Sequence, residues 1–113
     1  MIATSEITKL LDAELNIVDF EDSGLNGLQV EGSSTVTSVA VSVDAGELVI
    51  EKAIAAKAQL LIVHHGLFWG PAQPITGSRR RVIKQLLDNG LNLYAAHLPL
   101  DAHMTIVNNF ALA

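Results

Sequence analysis

The order of strand-like and helix-like segments constrains the fold of this chain more than any other feature of its sequence. Residues 36–43 are β-branched or small throughout, and residues 59–63 are almost wholly apolar, so both segments have the character of buried strands. Residues 47–57 and 78–89 place apolar side chains at helical spacing, and residues 91–96 return to a strand pattern. This alternating order predicts an α/β fold in three layers, with a mostly parallel sheet, right-handed crossovers and helices on both faces.

Ahead of this alternation, the sequence predicts an N-terminal helix and a short edge strand. Ser5 is the expected N-cap, and Glu6 suits the positive start of a helix. Residues 16–24 are polar and acidic with turn formers, which predicts a loop, and residues 28–31 alternate like an edge strand. The side chains that should face the core from this helix are Ile7, Leu10, Leu11 and Leu15.

The two later helices are expected to begin at side-chain caps. The segment Asp44-Ala-Gly-Glu47 matches a capping box, in which Asp44 accepts from a backbone N–H of the first turn and Glu47 reaches back. Ser78 is the expected cap of the next helix, which should end at Asn89-Gly90 because glycine adopts the left-handed cap conformation with little strain. The expected core-facing residues are Val49, Ile50, Ala53 and Ile54 in the first of these helices, and Val82, Ile83, Leu86 and Leu87 in the second.

Composition limits what such a domain can do. The chain is predicted to be one α/β domain, residues 1–113, and its lack of cysteine excludes disulfides, thiolate metal sites and a cysteine nucleophile. A formal net charge of −5 argues against nucleic acid as a partner. The hydrophobic half of the sequence is expected in strands buried on both faces or at a subunit interface. The chain shows no signal peptide and no apolar run near the about 20 residues of a membrane span, so a cytoplasmic protein without membrane contact is expected.

Each predicted parallel strand is followed by side chains that can bind a metal. Because ligands bind at the carboxyl ends of parallel strands, these groups should gather at one edge of the sheet. Imidazole and carboxylate together form the ligand set of Zn, Fe, Mn or Ni. The residues are Asp44 after the first strand, His64 and His65 after the second, and His97 and Asp101 after the third.

Several alternatives stay open at these positions. Alternate residues of a strand point to opposite faces, so His64 and His65 can serve one metal only if the strand has already ended. Two neighbouring metals, each taking one imidazole, would also explain the pair, and so would a hydrogen-bonded turn without metal. Asp44 is interpreted first as a helix cap and second as a ligand, and His103 as a surface residue or a group beside the site.

Two further segments have both a structural and a functional interpretation. Arg79-Arg80-Arg81 stands at a predicted helix start, where we favour a solvated face whose stems cover apolar surface over an anion-binding site. Phe68-Trp69 follows the histidine pair, and these rings either fill the local core, wall a substrate pocket or form a subunit contact.

Three motifs stand in order along the chain and give it a family resemblance. They are Asn26-Gly-Leu-Gln-Val-Glu-Gly32, Leu61-Ile-Val-His-His-Gly-Leu-Phe-Trp-Gly70 and Leu93-Tyr-Ala-Ala-His-Leu-Pro-Leu-Asp-Ala-His103, with Asn108-Asn109 close behind. With these motifs the chain resembles the Nif-three-like family over essentially its whole length, and most of all its bacterial members. Members of that family are commonly named GTP cyclohydrolase 1 type 2 homologues.

The resemblance implies two divalent metal ions, iron, zinc or manganese, held in one cluster. It implies that His64 and His65 contribute one ligand to each metal, that Asp101 is a further ligand, and that His97 lies beside the cluster. It also implies a toroidal homo-hexamer whose metal sites face an internal cavity, and a hydrolytic reaction on a nucleotide. In such a reaction we expect His97 to transfer protons, because an imidazole titrates near neutral pH, and the arginine run could attract a phosphorylated ligand.

The chain departs from the family pattern in two respects. Family members are roughly double its length, and a His and a Glu near their C-terminus complete the metal cluster, so this chain resembles an N-terminal half. Val107 stands where the family usually has glycine, which could distort the turn that positions Asp101. A metal-dependent hydrolase is therefore the first hypothesis. The alternatives are a metal carrier, sensor or scaffold without turnover, and an incomplete fragment without a competent site.

Overall fold

A computed structural model of the chain describes residues 1–15, 25–68 and 72–96. The predicted loop over residues 16–24 lies outside these ranges. In chain order, the described elements are β1 (Ile2–Ala3), α1 (Thr4–Leu15), β2 (Gly27–Val30), β3 (Thr35–Val36), β4 (Val39–Asp44), α2 (Glu47–Ala55), β5 (Leu60–His65), α3 (Gly77–Asp88) and β6 (Asn92–Ala95).

The main sheet has four strands in the spatial order β2-β6-β5-β4. β4, β5 and β6 run parallel, and the crossovers through α2 and α3 each lead to the neighbouring strand. β2 lies antiparallel at the β6 edge, which confirms the predicted edge strand. β1 and β3 form a separate antiparallel pair. The predicted α/β fold with a mostly parallel sheet is therefore confirmed.

Helices cover this sheet from both sides and give the three predicted layers. Successive residues of β5 and β6 belong to different layers, because neighbouring strand side chains point to opposite faces. The layer under α2 and α3 contains Ile50, Ala53, Leu61, Val63, Val82, Leu86, Leu93 and Ala95. The layer under α1 contains Leu15, Val36, Leu60, Tyr94 and Ala96, with the partly buried Ile7, Leu11, Leu28 and Ile62 packed against it.

The strands are buried to different degrees, so only part of the apolar sequence lies in strands that are covered on both faces. All four residues of β6 are buried, as expected of a strand covered on both faces. In β4, by contrast, Val39, Val41 and Val43 are 47%, 49% and 51% exposed. These valines share the sheet face with Ile62, because they alternate with the residues that pack under α2. The helix α1 thus covers the centre of that face, and the β4 edge remains open within the described residues.

The predicted strand over residues 36–43 is two strands in the structure. Its two parts are β3 and β4, separated at Thr37 and Ser38. The Gln59 side chain explains the break, because its Oε1 accepts from the backbone N–H groups of Thr37 at 2.8 Å and Ser38 at 2.9 Å. A backbone donor that bonds to a side chain is lost to a β ladder. The next strand, predicted over residues 59–63, continues through both histidines to His65.

The predicted side-chain caps of α1 and α2 are wrong. α1 begins at Thr4, so Ser5 lies inside the helix rather than before it. α2 begins at Glu47 after an extended Gly46, with no cap bond from a side chain. The capping box fails because Asp44 is still part of β4. The predicted stop of α3 is confirmed, since Asp88 ends the helix and Gly90 has φ +62°.

The cap of α3 and two of the predicted core positions also need correction. α3 begins at Gly77 after Thr76, which places Ser78 within the first turn. Leu10 and Leu87 are 68% and 58% exposed, because each lies at the margin of an apolar stripe that is narrower than predicted. The other predicted core-facing side chains of the three helices are buried or half-buried. No helix within the described part of the chain combines the length and apolarity that a membrane crossing requires.

Candidate metal site

The candidate site lies at the carboxyl edge of the parallel sheet, where His64 and His65 end β5. The pleat starts these side chains on opposite faces of the strand. Their ring centroids are nevertheless 4.6 Å apart, and the ring planes meet at 59°. His64 is half-buried and His65 is exposed. The structure therefore brings the two imidazoles side by side, although the strand does not end before them.

Asp44 lies next to His65 for a topological reason. The two residues are register partners at the carboxyl ends of β4 and β5. Oδ1 of Asp44 is 3.4 Å from Nδ1 of His65, and the Asp44 and His65 side chains are 70% and 46% exposed. A carboxylate at Nδ1 favours the tautomer that carries its proton there, which leaves the lone pair on Nε2. Asp44 therefore contacts a candidate ligand instead of capping α2.

The backbone directly after the histidines is held by residues next to and within β2. Oε1 of Gln29 accepts from the N–H of Leu67 at 2.8 Å, and Nε2 of Gln29 donates to the carbonyl of Leu25 at 2.6 Å. The N–H of Leu25 in turn donates to the carbonyl of Phe68 at 3.0 Å. These three hydrogen bonds connect the chain before and within β2 to the segment that follows β5.

The arginine run divides between internal contacts and the surface. The Arg79 guanidinium lies 4.5 Å from the Phe68 ring centroid, and its Nη1 donates to the carbonyl of Leu67. Nε of Arg81 donates to Glu47 at 2.9 Å. Arg80 is exposed. Arg79 and Arg81 thus serve contacts within the protein, which agrees with the favoured structural interpretation of the run.

Glu47 is the described carboxyl group with a clearly altered pKa near this edge. A hydrogen bond from Ser78 is the largest cause, and the hydrogen bond and charge of Arg81 add to it. Both partners stabilise the carboxylate, so the pKa of Glu47 falls below its ordinary value. Because Ser78 and Arg81 belong to α3 and Glu47 to α2, this cluster joins the starts of the two crossover helices.

Several predicted site residues lie outside the described part of the chain. They are Trp69, His97, Asp101 and His103. Within residues 1–15, 25–68 and 72–96, no group of three or more His, Cys, Asp or Glu side chains could hold a metal ion. The last described residue, Ala96, donates from its N–H to the carbonyl of Val63 at 3.1 Å. The chain therefore leaves β6 beside the strand that carries the histidines.

The contact made by Gln29 is one that the sequence pattern does not predict. Residues 28–31 alternate regularly, which predicts an ordinary edge strand, and nothing in that pattern marks Gln29 as a contact to the segment after His65. Only the spatial order of the strands reveals the contact, because β6 separates β2 from β5.

A surface cavity of about 420 Å³ lies away from the histidines. Its lining includes Thr4 and Thr8 of α1 and Ser33 and Ser34 of the connection from β2 to β3. The N–H of Ser33 donates to the carbonyl of Gly90, just before β6 begins. The cavity therefore lies at the amino edge of the parallel strands, opposite the candidate metal site.

Comparison with known proteins gives one family for nearly the whole sequence. The family described as Duf34/NIF3 (NGG1p interacting factor 3) matches residues 2–113. A curated relative from Pyrococcus horikoshii, named GTP cyclohydrolase 1 type 2 homolog, is 48% identical over 107 residues. That match covers 95% of this chain and 43% of the relative, so this chain spans less than half of the relative's length.

Solved structures show the same fold. The crystal structure of TTHA1606 from Thermus thermophilus matches with a TM-score of 0.92 and 53% identity, covering 99% of this chain and 47% of that chain. Reduced HcgD from Methanocaldococcus jannaschii matches with a TM-score of 0.82 and 27% identity, covering 99% of this chain and 46% of that chain. The fold described above is therefore similar to about half of each solved chain.

Proposed function

Because this chain belongs to the Duf34/NIF3 (NGG1p interacting factor 3) family, we propose that it binds divalent metal ions at His64 and His65 and takes part in the hydrolysis of a nucleotide. The observation that carries this proposal is the pair of imidazoles at the carboxyl edge of the sheet, with ring centroids 4.6 Å apart. Open parallel sheets bind their ligands at this edge.

The donor set agrees with a nitrogen and oxygen metal centre. Two imidazoles and a neighbouring carboxylate suit iron, zinc or manganese, and the chain has no cysteine to favour another set. On the strength of the family resemblance, we assign one metal to each imidazole and two to the cluster. Asp101 is the proposed further ligand, on the strength of the family resemblance. Divalent metals in such sites lower the pKa of bound water and polarise the group under attack.

Three side chains have proposed roles around the metals. Asp44 would hold the proton of His65 on Nδ1, which would leave Nε2 as the nitrogen available to a metal. His97 is the proposed group for proton transfer, because it follows a strand that ends beside Val63 at the same edge. Arg80 is the proposed contact for a phosphorylated ligand, since Arg79 and Arg81 already contact protein groups.

The nature of the substrate rests on the relatives. The curated relatives are named GTP cyclohydrolase 1 type 2 homolog, so GTP is the nucleotide to test first. The toroidal hexamer and the cytoplasmic location are proposals that rest on the resemblance and on the sequence. Since the chain spans 43% of the Pyrococcus relative, the activity of a whole protein of that length is likewise a proposal.

A metal carrier, sensor or scaffold without turnover is the second candidate function. The observation in its favour is the exposure of His65, whose side chain is 46% accessible. A metal held by an exposed imidazole would be loaded and released readily.

Metal analysis combined with a hydrolysis assay separates the two functions. The protein is loaded with Zn²⁺, Mn²⁺ or Fe²⁺, desalted, and assayed for bound metal and for GTP hydrolysis. Two metals per chain with turnover that disappears in His65→Ala would support the hydrolase. Bound metal that is lost in His65→Ala, without any turnover, would support the carrier. Equal metal content in the wild type and in His65→Ala would contradict both.

A further inference from the structure

β2 contains a β-bulge at Gln29. In the ladder with β6, Leu28 pairs with Tyr94 and Val30 pairs with Leu93, so Gln29 is an extra residue without an opposite partner. A bulge at an edge strand redirects a side chain that regular pairing would point to one face, and bulges often occur beside functional sites. Gln29 is the residue that this bulge redirects.

The redirected Gln29 amide reaches past β6 to the end of β5. Its oxygen accepts from the backbone N–H of Leu67, and its nitrogen donates to the carbonyl of Leu25. Both ends of the amide therefore have a backbone partner of the right kind, which defines its orientation. A further hydrogen bond, from the N–H of Leu25 to the carbonyl of Phe68, joins the same two segments.

Gly66 makes this close approach possible. A Cβ atom built on Gly66 would lie 2.4 Å from Oε1 and 2.6 Å from Nε2 of Gln29, and 2.7 Å from Cβ of Ala95. These distances are too short for any side chain at that position, so glycine is required for the amide to lie where it does. Gly66 is the residue directly after His65.

We propose that Gln29 is a positioning residue for the histidine pair. By holding the N–H of Leu67, it sets the direction of the backbone as it leaves His65, and thereby the separation of the His64 and His65 imidazoles. Metal ligands need placement to within about 0.5 Å, which supporting hydrogen bonds of this kind provide. The proposal rests on the proposed metal binding by this pair.

The chain offers a matched control in Gln59. Like Gln29, it holds a connecting segment through both ends of its amide. Oε1 accepts from Thr37 and Ser38, and Nε2 donates to the carbonyl of Lys57 at 2.7 Å. Gln59 precedes β5, so it lies at the amino edge of the sheet, away from the histidines. Among the described residues, removing it should cost four side-chain hydrogen bonds, against two for Gln29, without disturbing the candidate metal site.

The test compares Gln29→Ala with Gln59→Ala in the protein. Zn²⁺ affinity is measured by competition with a chelator, and hydrogen exchange of the Leu67 amide reports the local backbone. We expect Gln29→Ala to weaken Zn²⁺ binding about 10–100-fold and to accelerate exchange at Leu67, and Gln59→Ala to do neither. Gln29→Glu keeps the acceptor for Leu67 and loses the donor to Leu25, so it should weaken binding less. It also provides a second variant in case Gln29→Ala does not fold.

Either of two results would overturn the proposal: wild-type Zn²⁺ affinity in both Gln29 variants, or an equal loss in Gln59→Ala. Failure of the proposed metal binding would give a different result, because the wild type and His65→Ala would then bind Zn²⁺ equally. In that case the imidazole NMR signals of His64 and His65 show whether Gln29 positions the two rings. A shift in Gln29→Ala that is absent from Gln59→Ala would support it, and unchanged signals would overturn it.

Discussion

The carboxylate of Asp44 lies 3.4 Å from Nδ1 of His65 and connects the carboxyl ends of two neighbouring parallel strands. The Asp44 side chain is largely exposed and that of His65 is about half exposed, so this contact adds little to the stability of the fold. Its chemical consequence is the choice of tautomer, since a proton held at Nδ1 leaves Nε2 as the nitrogen that can bind metal.

Asp44→Ala is therefore expected to weaken metal binding and to spare the fold. Loss of the carboxylate should lower Zn²⁺ affinity about 10-fold, because outer contacts of this kind orient metal-binding histidines. The free energy of unfolding should change by no more than about 0.5 kcal/mol. Chelator competition and urea unfolding measure the two effects.

Asp88→Ala provides the control for this prediction. Asp88 is also an exposed aspartate in an ion pair, with its Oδ2 2.5 Å from Nζ of Lys84, and it ends α3 at the opposite edge from the histidines. Its removal should leave Zn²⁺ affinity unchanged. An equal loss of affinity in both variants would show that Asp44 acts through net charge and not through His65.

Asn92→Ala should be among the most destabilising substitutions in the described chain. Asn92 is fully buried, and its side chain donates to the carbonyls of Ser33 and Gln59 and accepts from the N–H of Gly32. Truncation leaves the buried N–H of Gly32 without its partner, whereas the carbonyls of Ser33 and Gln59 keep bonds from Thr4 Oγ1 and from the backbone N–H of residue 92, so the loss should be about 2–4 kcal/mol. The exposed Asn89 is the control, with an expected loss of about 0.5 kcal/mol in Asn89→Ala. Urea unfolding of both variants checks the difference.

Tyr94 should make the protein sensitive to alkali. Its hydroxyl donates to Asp12 at 2.7 Å, and burial together with this bond raises the pKa of Tyr94 well above its ordinary value. A raised pKa stabilises the fold below the unfolded pKa of about 10, and that contribution is lost as the pH rises beyond it. Tyr94 is the sole tyrosine of the chain, so an ultraviolet titration reports it directly.

Tyr94→Phe separates the stabilisation by the hydrogen bond to Asp12 from the destabilisation caused by tyrosine ionisation at high pH. At neutral pH the variant should lose about 1–2 kcal/mol of unfolding free energy, because Asp12 loses a hydrogen bond. Above about pH 10, its stability should no longer fall through ionisation of this side chain. Tyrosine ionisation at an ordinary pH in the folded wild type would contradict the buried bond to Asp12.

The pKa of Glu47 should depend on α3. Ser78→Ala removes the largest cause of its lowering, so the pKa of Glu47 should rise toward its ordinary value. Since the folded pKa is lowered, the stabilising effect of Glu47 is present above its unfolded pKa and is lost as the pH falls through the folded pKa. Carboxyl NMR titration measures the shift, and Ser34→Ala, at an exposed serine outside this cluster, should leave it unchanged.

The hydrophobic pattern predicted the positions of the main strands and of the histidine pair because these depend on local periodicity. The continuous run at residues 60–63 indicates a strand buried on both faces, and the parallel order then brings its end to the ligand-binding edge. The helix starts were less predictable. Asp44 is a good cap by composition, yet its place in β4 beside His65 gives its carboxylate a different partner.

The contacts that position the candidate site depend on residues far apart in the sequence. Gln29 and Leu67 meet because β2 folds back antiparallel to β6, and the bulge that redirects Gln29 leaves no trace in an alternating pattern. The break at Thr37 likewise depends on Gln59, which approaches only after β4 and β5 pair. Local pattern therefore predicts the elements, whereas these contacts follow from the assembled sheet.

Zinc titration followed through the imidazole nitrogens tests the central claim most directly. In the ¹⁵N-labelled protein, the ring signals of His64 and His65 are recorded while Zn²⁺ is added at constant pH. Metal binding by the pair predicts that both sets of ring signals shift and that the shift saturates with Zn²⁺, with Nε2 of His65 as the coordinated nitrogen. Ring signals of both histidines that stay unchanged up to excess Zn²⁺ would contradict it.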